Sequence, residues 1–400
     1  MRVGIIGGGA AGFFCAINLK EQLGDRVETV IFEKSSKVLN KVKLSGGGRC
    51  NCSNTFENIN NLKEIYPRGY KTVKQILKNF SPQDTFNWFV GHGIDLKIED
   101  KGRVFPKSDD SMEIVNLFLR LADKYHIRIK TNSTIDSLRQ LRDFDFIVLA
   151  TGGYKNDNLF NELTSKGQTI RPFIPSLFSF NLEYEKLQRL SGVVVKNAEL
   201  LLCGTKFRCK NDLLITHWGI SGPVALKLSC FAAEYLHQTN YQTELLINWT
   251  GLNYAQVEQA ITNKLALNSN KLIKNFNPLN LTNNLWEYLG EKALGEKLNN
   301  KVLAINQKDI NRMTNTLCSD KYIIKGRYAE KTEFVSCGGI DIKGINPNTL
   351  ESKVIDNLFF AGEALDIDAI TGGFNLQNAW STAYNVALSI NKRYKEKEIE

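Results

Sequence analysis

The chain has 400 residues, 42% hydrophobic and 23% charged, enough apolar material for at least two ordinary cores, which excludes a disordered, collagenous or disulfide-stapled class. Its 51 basic and 42 acidic side chains leave a formal charge of +9, but they are scattered rather than blocked, which weighs against a nucleic-acid partner. The 8 cysteines, at 15, 50, 52, 203, 209, 230, 318 and 337, form no CxxC pair, arguing against a zinc site or redox dithiol and for a reducing compartment.

No apolar run reaches the roughly 18 to 20 residues of a membrane span. The apolar opening enters a glycine-rich motif with no charged lead-in or cleavage site, so a cytoplasmic chain without a signal peptide is expected. Val3 to Ile6 is a β-branched run followed by Gly7-Gly8-Gly9-Ala10-Ala11-Gly12 and then FFCAINLKEQL, with helical apolar spacing. Strand, GxGxxG and helix in this order are the context a dinucleotide fingerprint requires. Gly7 permits the tight turn, Gly9 lets the backbone approach a pyrophosphate, and Gly12 lets helix and strand pack closely. The first helical N–H groups and the positive dipole end then face the phosphates. A second strand, 27 to 32, ends in Glu33, at the fingerprint's spacing of about 20 residues. Its carboxylate can accept from both ribose hydroxyls of an adenosine and would repel a 2′-phosphate.

Leu44 to Asn54 is glycine-dense, and without side chains at Gly46, Gly47 and Gly48 the loop can lie against a flat ligand. Arg49 can neutralise phosphate, pair with an acidic substrate, or simply pin the loop. Cys50 and Cys52 invite a redox reading, but CxC spacing closes a strained ring and alternates sides in extended chain, so packing is the stronger assignment. Residues 63 to 80 and 82 to 91 read as helices, the second capped by Ser81 with Pro82 in its first turn. Ile94 to Phe105 reads as a hairpin and Ser111 to Tyr125 as an amphipathic helix.

Phe144 to Leu149 is a third buried strand running into Ala150-Thr151-Gly152-Gly153. From about 186 the pattern changes. Val193 to Cys209, Leu245 to Trp249 and Tyr322 to Val335 are strand-like, whereas 254 to 317 is helical and rich in Asn and Lys. His217, in THWGISGP, resembles a nucleophile elbow only superficially, because no matching acid and histidine follow; it stands as a weak acid/base candidate beside a structural role. A return to the first sheet is expected at Cys337 to Asp341. Leu358 to Phe360 is a fourth strand closing in Gly362-Glu363, and Thr371 to Gln377 leads into a long helix to about Arg393. That helix would aim unpaired N–H groups above the sheet. No HExxH, paired carboxylate or Cys/His cluster indicates a metal.

The set GIIGGGAAG (4 to 12), KLSGGGRCNCSN (43 to 54), GRVFP (102 to 106), ATGG (150 to 153), PSL (175 to 177), THWGISGP (216 to 223), CGGID (337 to 341) and AGEALDIDAITGGFNLQNAWS (361 to 381) resembles the HI0933-like family of FAD-dependent oxidoreductases. The resemblance implies an α/β fold in which a Rossmann-like FAD-binding domain, 1–185 and 336–400, is interrupted by a small β-barrel-like domain, 186–335. Within the insert, 186–250 and 318–335 would be β and 251–317 a helical subdomain. It implies FAD contacts at Gly7, Gly9, Ala11, Gly12, Glu33, Lys41, Ser45, Gly46, Gly47, Gly48, Arg49, Cys50 and Asn51. Further contacts would come from Ile135, Gly152, Gly362, Glu363, Gly373, Phe374, Asn375, Leu376 and Gln377. One departure stands out: after ATGG the chain reads YKNDNLFNELTSKGQTIRPFIPSL, shorter than in relatives and without their Gly-Asp-Gly element.

The hard chemistry then falls to the cofactor. The main expectation is an FAD-dependent oxidoreductase passing a hydride or two electrons between flavin and a small-molecule substrate. There is no second GxGxxG after a strand, so NAD(P)H would be a transient co-substrate. Relatives include amine oxidases and reductases of unsaturated ketones, and the residues do not choose between them. The catalytic residues are unassigned, with Arg49, Cys50 and His217 as candidates, and so is the oligomeric state. Two alternatives stand beside this: a flavin-dependent RNA-modifying or RNA-binding protein, and a flavoprotein without turnover.

Overall fold

A computed structural model describes residues 1–153, 156–182, 185–328 and 335–399. The chain divides into two compact units, Met1–Ile174 with Phe334–Glu400, and Pro175–Glu333. In the first, five parallel strands lie in the order Leu358–Phe360, Phe146–Leu149, Arg2–Ile6, Glu28–Phe32, Arg128–Lys130. The inner strands are almost wholly buried, as a parallel sheet covered on both faces requires.

The helix Ala10–Leu23 packs against the C-terminal helix Phe374–Ile399. Phe13, Phe14 and Ile17 of one and Trp380, Ala383 and Ala387 of the other are buried. The Trp380 ring stacks on Phe118 at 5.5 Å and tilts against Phe14 at 5.3 Å. Burying each such aromatic stabilises by about 1.5–3 kcal/mol. The helix Pro82–Gly91 begins in a reciprocal cap between Ser81 and Asp84, and Asp110 caps Ser111–Lys124 by accepting from Met112 N–H at 2.8 Å. A three-stranded antiparallel sheet joins Ser53–Asn54, Arg103–Pro106 and Leu96–Glu99.

Three expected elements need correction. The single helix over 63 to 80 is a turn, Leu62–Glu64, and a shorter helix, Tyr70–Ile76. Pro67 and Gly69 separate them: Gly69 sits at φ +71°, where a Cβ would lie 2.5 Å from Ile367. The strand Val335–Ile340 does not rejoin the five-stranded sheet but pairs with Ile170–Ser176. Glycine permits that pairing, since a Cβ on Gly338 would lie 2.0 Å from the Pro172 carbonyl oxygen. The strand expected over 322 to 335 runs Asp320–Tyr328, and 329–334 lie outside the described residues.

The second unit is a closed six-stranded barrel in the order Val194–Leu202, Arg208–Thr216, Gly219–Ser221, Ser179–Leu182, Asp320–Tyr328, Thr243–Asn248. Inward and outward residues alternate along Asp320–Tyr328, as a barrel wall demands. The insert was expected from 186, yet Ser179–Leu182 already belongs to the barrel wall. The helices Tyr254–Leu265, Asn283–Leu294 and Gln307–Cys318 fill the interval between its last two strands. Asp320 anchors this core, accepting from Trp249 Nε1 at 3.0 Å and Tyr322 OH at 2.7 Å and pairing with Lys292 at 2.5 Å. No described helix is long and apolar enough to cross a membrane.

Candidate cofactor site

The strand Arg2–Ile6 ends in a turn only glycine can make. Gly7 has φ +116° and donates its N–H to the Phe32 carbonyl at 2.8 Å, and a Cβ there would lie 2.3 Å from the Ala150 carbonyl oxygen. A Cβ on Gly12 would lie 2.0 Å from the Gly7 oxygen, so helix and turn are held at backbone contact. A Cβ on Gly9, by contrast, would meet nothing within 4 Å. Gly9 caps Ala10–Leu23 without a side-chain hydrogen bond, and no acidic residue stands in the first turn. The helix therefore presents unpaired N–H groups and its positive end toward open space, an arrangement that accepts an anion.

Glu33 stands beside that turn. Its Oε2 accepts from Gly8 N–H at 2.8 Å, and its Oε1 from Ser35 N–H at 2.9 Å and Ser35 Oγ at 2.7 Å. A carboxylate has about four lone-pair sites, so one on Oε2 remains for a hydroxyl. Ile135 is buried, and its carbonyl accepts from the Asn156 amide at 3.0 Å.

At the neighbouring strand ends Gly362, at φ +68°, approaches the same helix: a Cβ would lie 2.9 Å from that of Ala11. Its N–H donates to Thr382 Oγ1 at 2.8 Å. The next residue, Glu363, accepts from Ser336 N–H at 2.6 Å and pairs with Lys41 Nζ at 2.8 Å. Gly152, at φ +66°, faces the same carboxylate, since a Cβ there would stand 4.0 Å from Glu363 Oε2. Lys41, Gly152, Gly362 and Glu363 are thus brought together.

The glycine loop forms a second open surface. Gly46, Gly47 and Gly48 all have positive φ, and a Cβ on Gly47 or Gly48 would meet nothing within 4 Å. Ser45 Oγ donates to the Val42 carbonyl at 2.7 Å. Arg49 turns from the loop: its guanidinium pairs with Glu99 and, at 2.6 Å, with Asp109, and lies 4.2 Å over the Phe105 ring. The hydrogen bonds it donates to Glu99 and then to Asp109 hold it above its ordinary range. These pairs tie the glycine loop to Glu99 and Asp109.

Cys50 and Cys52 are both fully buried, and burial pushes the Cys50 thiol up to about 12 and that of Cys52 well above its ordinary value. Neither offers a thiolate near neutral pH. Asn51, in the amide orientation that matches donors to acceptors, donates to Val104 and Ser53 carbonyls and accepts from Gly373 N–H at 3.1 Å. That ties the glycine loop to the start of the C-terminal helix. Asn375 closes the preceding turn by bonding both the N–H and the carbonyl of Ala369 at 2.9 Å. Phe374 receives Tyr66 OH on its carbonyl at 2.8 Å. Leu376 is half-buried, whereas Gln377 is fully buried and braces Ser53, Thr85 and Ser381. His217 is exposed in the other unit, its ring edge-on to Trp218 at 4.4 Å.

Sequence reasoning missed a buried charge cluster behind this segment. Arg68 grips Asp368 through Nε and Nη2, each at 2.5 Å, and Asp368 is fully buried. Arg171 Nε lies 3.2 Å from both Asp341 and Asp366, and Asp366 also accepts from Gly338 N–H at 3.2 Å. Burial, the largest cause, pushes Asp366 up to about 6 against the pull of Arg171 and Arg68. The only local signal was the Asp-x-Asp spacing at 366 and 368, because the partner arginines are remote in sequence. Among the described residues no group of three His, Cys, Asp or Glu is placed to hold a metal.

The open spaces at Gly9, Gly47 and Gly48, the uncapped helix end and the remaining Glu33 acceptor fit an adenine dinucleotide with a flat ring system. The chain matches the family described as HI0933-like protein Rossmann domain over residues 1–389. It is 30% identical to a ribosomal RNA dihydrouridine synthase of Haemophilus influenzae, covering 97% of this chain and 98% of that one. A second protein of that name, from Escherichia coli, is 27% identical over 96% of both chains. A 3-dehydro-bile acid delta(4,6)-reductase of Clostridium scindens is 25% identical over 96% of this chain and 97% of that one. Among solved structures, a 3-ketosteroid delta1-dehydrogenase from Sterolibacterium denitrificans superposes with a TM-score of 0.46 and 11% identity, covering 98% of this chain and 99% of that one.

Proposed function

This chain belongs to the HI0933-like family of Rossmann-fold flavin oxidoreductases, and we propose that it is an FAD-dependent reductase that saturates the C5–C6 bond of uracil in ribosomal RNA, with NAD(P)H as reductant. The observation that carries this reading is that two relatives named for rRNA dihydrouridine synthesis align with at least 96% of the chain. The third relative, named a delta(4,6)-reductase, also saturates a carbon–carbon double bond, which favours reductase over amine oxidase chemistry. The relatives are enzymes, so the alternative of a flavoprotein without turnover is set aside. The charge pattern weighed against a nucleic-acid partner because it ignored where in the fold the lysines lie, and the RNA-modifying alternative now leads.

An FAD held by Glu33, the start of Ala10–Leu23 and the glycine loop would, once reduced by NAD(P)H, supply two-electron hydride chemistry for saturating the uracil double bond, with the accompanying proton drawn from solvent. The chain's residues supply binding and orientation. Glu33, pre-set by Gly8 and Ser35, accepts from a ribose hydroxyl. The uncapped helix end donates to the pyrophosphate, and Gly47 and Gly48 leave a surface on which a planar ring can lie. Lys41, paired with Glu363, keeps a cation beside the phosphate end. The thiols of Cys50 and Cys52 stay neutral and take no part.

The test is nucleoside mass spectrometry of ribosomal RNA from cells with and without the gene. The reading expects one dihydrouridine, two hydrogens heavier than uridine, to disappear with the gene and return on complementation. Identical nucleoside profiles overturn it.

A further inference from the structure

The helical part of the second unit carries a surface that the flavin chemistry does not use. Two stretches, 259–286 and 297–308, contain no Asp or Glu, yet hold lysines at 264, 271, 274, 297, 301 and 308. The fold fastens them together. Leu272 bridges Lys301 in antiparallel fashion, Ile273 N–H donates to the Asn300 carbonyl at 2.9 Å, and Val302 N–H donates to that of Lys271 at 2.8 Å. Ile273 and Val302 turn into the core, so the ribbon has a definite inner side. Lys271 and Lys301 are exposed, as is Lys308 at the start of Gln307–Cys318.

Their charges are uncompensated. Lys297 pairs with Asp309, and Lys264 donates to the Pro278 carbonyl at 2.7 Å. Lys271, Lys274, Lys301 and Lys308 make no ion pair among the described residues. Some lysines elsewhere, Lys41, Lys97, Lys196 and Lys321, each meet a carboxylate within 2.8 Å, whereas Lys71, Lys74 and Lys78 lie on the exposed side of one short helix and its end. Concentrating uncompensated cations where two acid-free segments are joined raises the local positive potential and destabilises the free protein slightly, a cost a polyanion would repay. Exposed asparagines, Asn270, Asn275, Asn299 and Asn300, intersperse this surface with neutral hydrogen-bonding groups suited to phosphate and sugar oxygens.

We propose that the ribbon of 269–275 and 299–303, with Lys308, is the docking surface for the phosphodiester backbone of the RNA substrate. This rests on the RNA reading above and adds where the RNA is held. Leu267 and Leu303, 85% and 77% exposed, are two large apolar side chains set among lysines and asparagines, less than the broad apolar face a lipid-binding helix presents, which favours RNA over a lipid surface.

The test uses the full-length flavin-loaded protein and unmodified ribosomal RNA transcribed in vitro, with affinity measured across a salt series. The variant Lys271→Gln/Lys301→Gln/Lys308→Gln is compared with Lys71→Gln/Lys74→Gln/Lys78→Gln, which removes the same charge from exposed positions in the first unit. The expected result is a slope of log affinity against log salt that is shallower by about 1 for each ribbon lysine removed, and at least about tenfold weaker binding at low salt. The control variant keeps the wild-type slope, and flavin content and bleaching by NAD(P)H are unchanged in both. Equal losses in the two variants, or no loss in the ribbon variant while wild type binds, overturn the docking surface and leave the RNA reading standing. Wild type that binds no RNA at low salt overturns the RNA reading itself. A ribbon variant that loses binding to anionic phosphatidylserine vesicles but retains RNA overturns the proposal in favour of a membrane.

Discussion

The cofactor cradle and the lysine ribbon handle charge in opposite ways. In the first unit charged groups near the cradle are closed into pairs: Arg68 with Asp368, Arg171 with Asp341 and Asp366, Arg49 with Glu99 and Asp109, Lys41 with Glu363. What stays open there is backbone, at Gly9, Gly47 and Gly48. In the ribbon the backbone is paired and the ammonium groups are left open. A site shaped by backbone fits one rigid ligand, and a site shaped by mobile cations fits an extended polyanion whose position is set by charge. Changes in the first region should therefore break structure or flavin retention, and changes in the second should alter only association.

The largest effect is expected at Gly12→Ala, where the new methyl carbon would lie 2.0 Å from the Gly7 oxygen and must push helix and turn apart. Purified protein should come out colourless, and a full complement of flavin would contradict the close packing of helix and turn. Next is Asp368→Asn, which removes the buried carboxylate charge that Arg68 grips through two hydrogen bonds and should cost about 1–3 kcal/mol in denaturant unfolding. A loss below about 1 kcal/mol would show that the Asp368 charge is not what holds Arg68. Glu33→Ala removes the ribose acceptor and should weaken FAD affinity by about 1–3 kcal/mol in flavin titration, with the fold intact.

Asp366 sharpens the contrast through pH. Asp366 is 6% exposed and its carboxyl is, chiefly by burial, pushed up to about 6, whereas an unfolded aspartate releases its proton near about 4. Between those values the native state binds more protons than the unfolded one. The stability this group contributes is present below about pH 4 and is lost as pH rises to about 6. Asp366→Asn should flatten that part of a Tm–pH profile, and an unchanged decline would assign it to other groups. The smallest effect is expected for the ribbon triple variant, whose unfolding free energy should stay within about 0.5 kcal/mol of wild type. A larger loss would mean that those lysines hold the fold.

Local signals carried much of the first unit. The strand, glycine turn and helix over 3 to 23, the cap at Ser81 and the turn at 100 to 102 each announce themselves within a few residues, and they stand where the sequence places them. What escaped was non-local. Val335–Ile340 looks like any buried strand, and nothing near it says that its partner is Ile170–Ser176 rather than the main sheet. Arg49 is ambiguous from its neighbours because Glu99 and Asp109 lie about 50 and 60 residues away. The ribbon is invisible as a charge run, because its lysines gather only when 272 meets 301.

If the proposed function holds, electrons on this protein's flavin end in a uracil ring of ribosomal RNA. The most direct test is anaerobic: reduce the flavin-loaded protein with one equivalent of NADPH or NADH, add unmodified ribosomal RNA, and follow flavin absorbance together with dihydrouridine content. The expected result is return of the yellow oxidised flavin, with one dihydrouridine formed per flavin reoxidised. Flavin that stays bleached in the presence of RNA and regains its colour only on admission of air, with peroxide and no dihydrouridine, would contradict it.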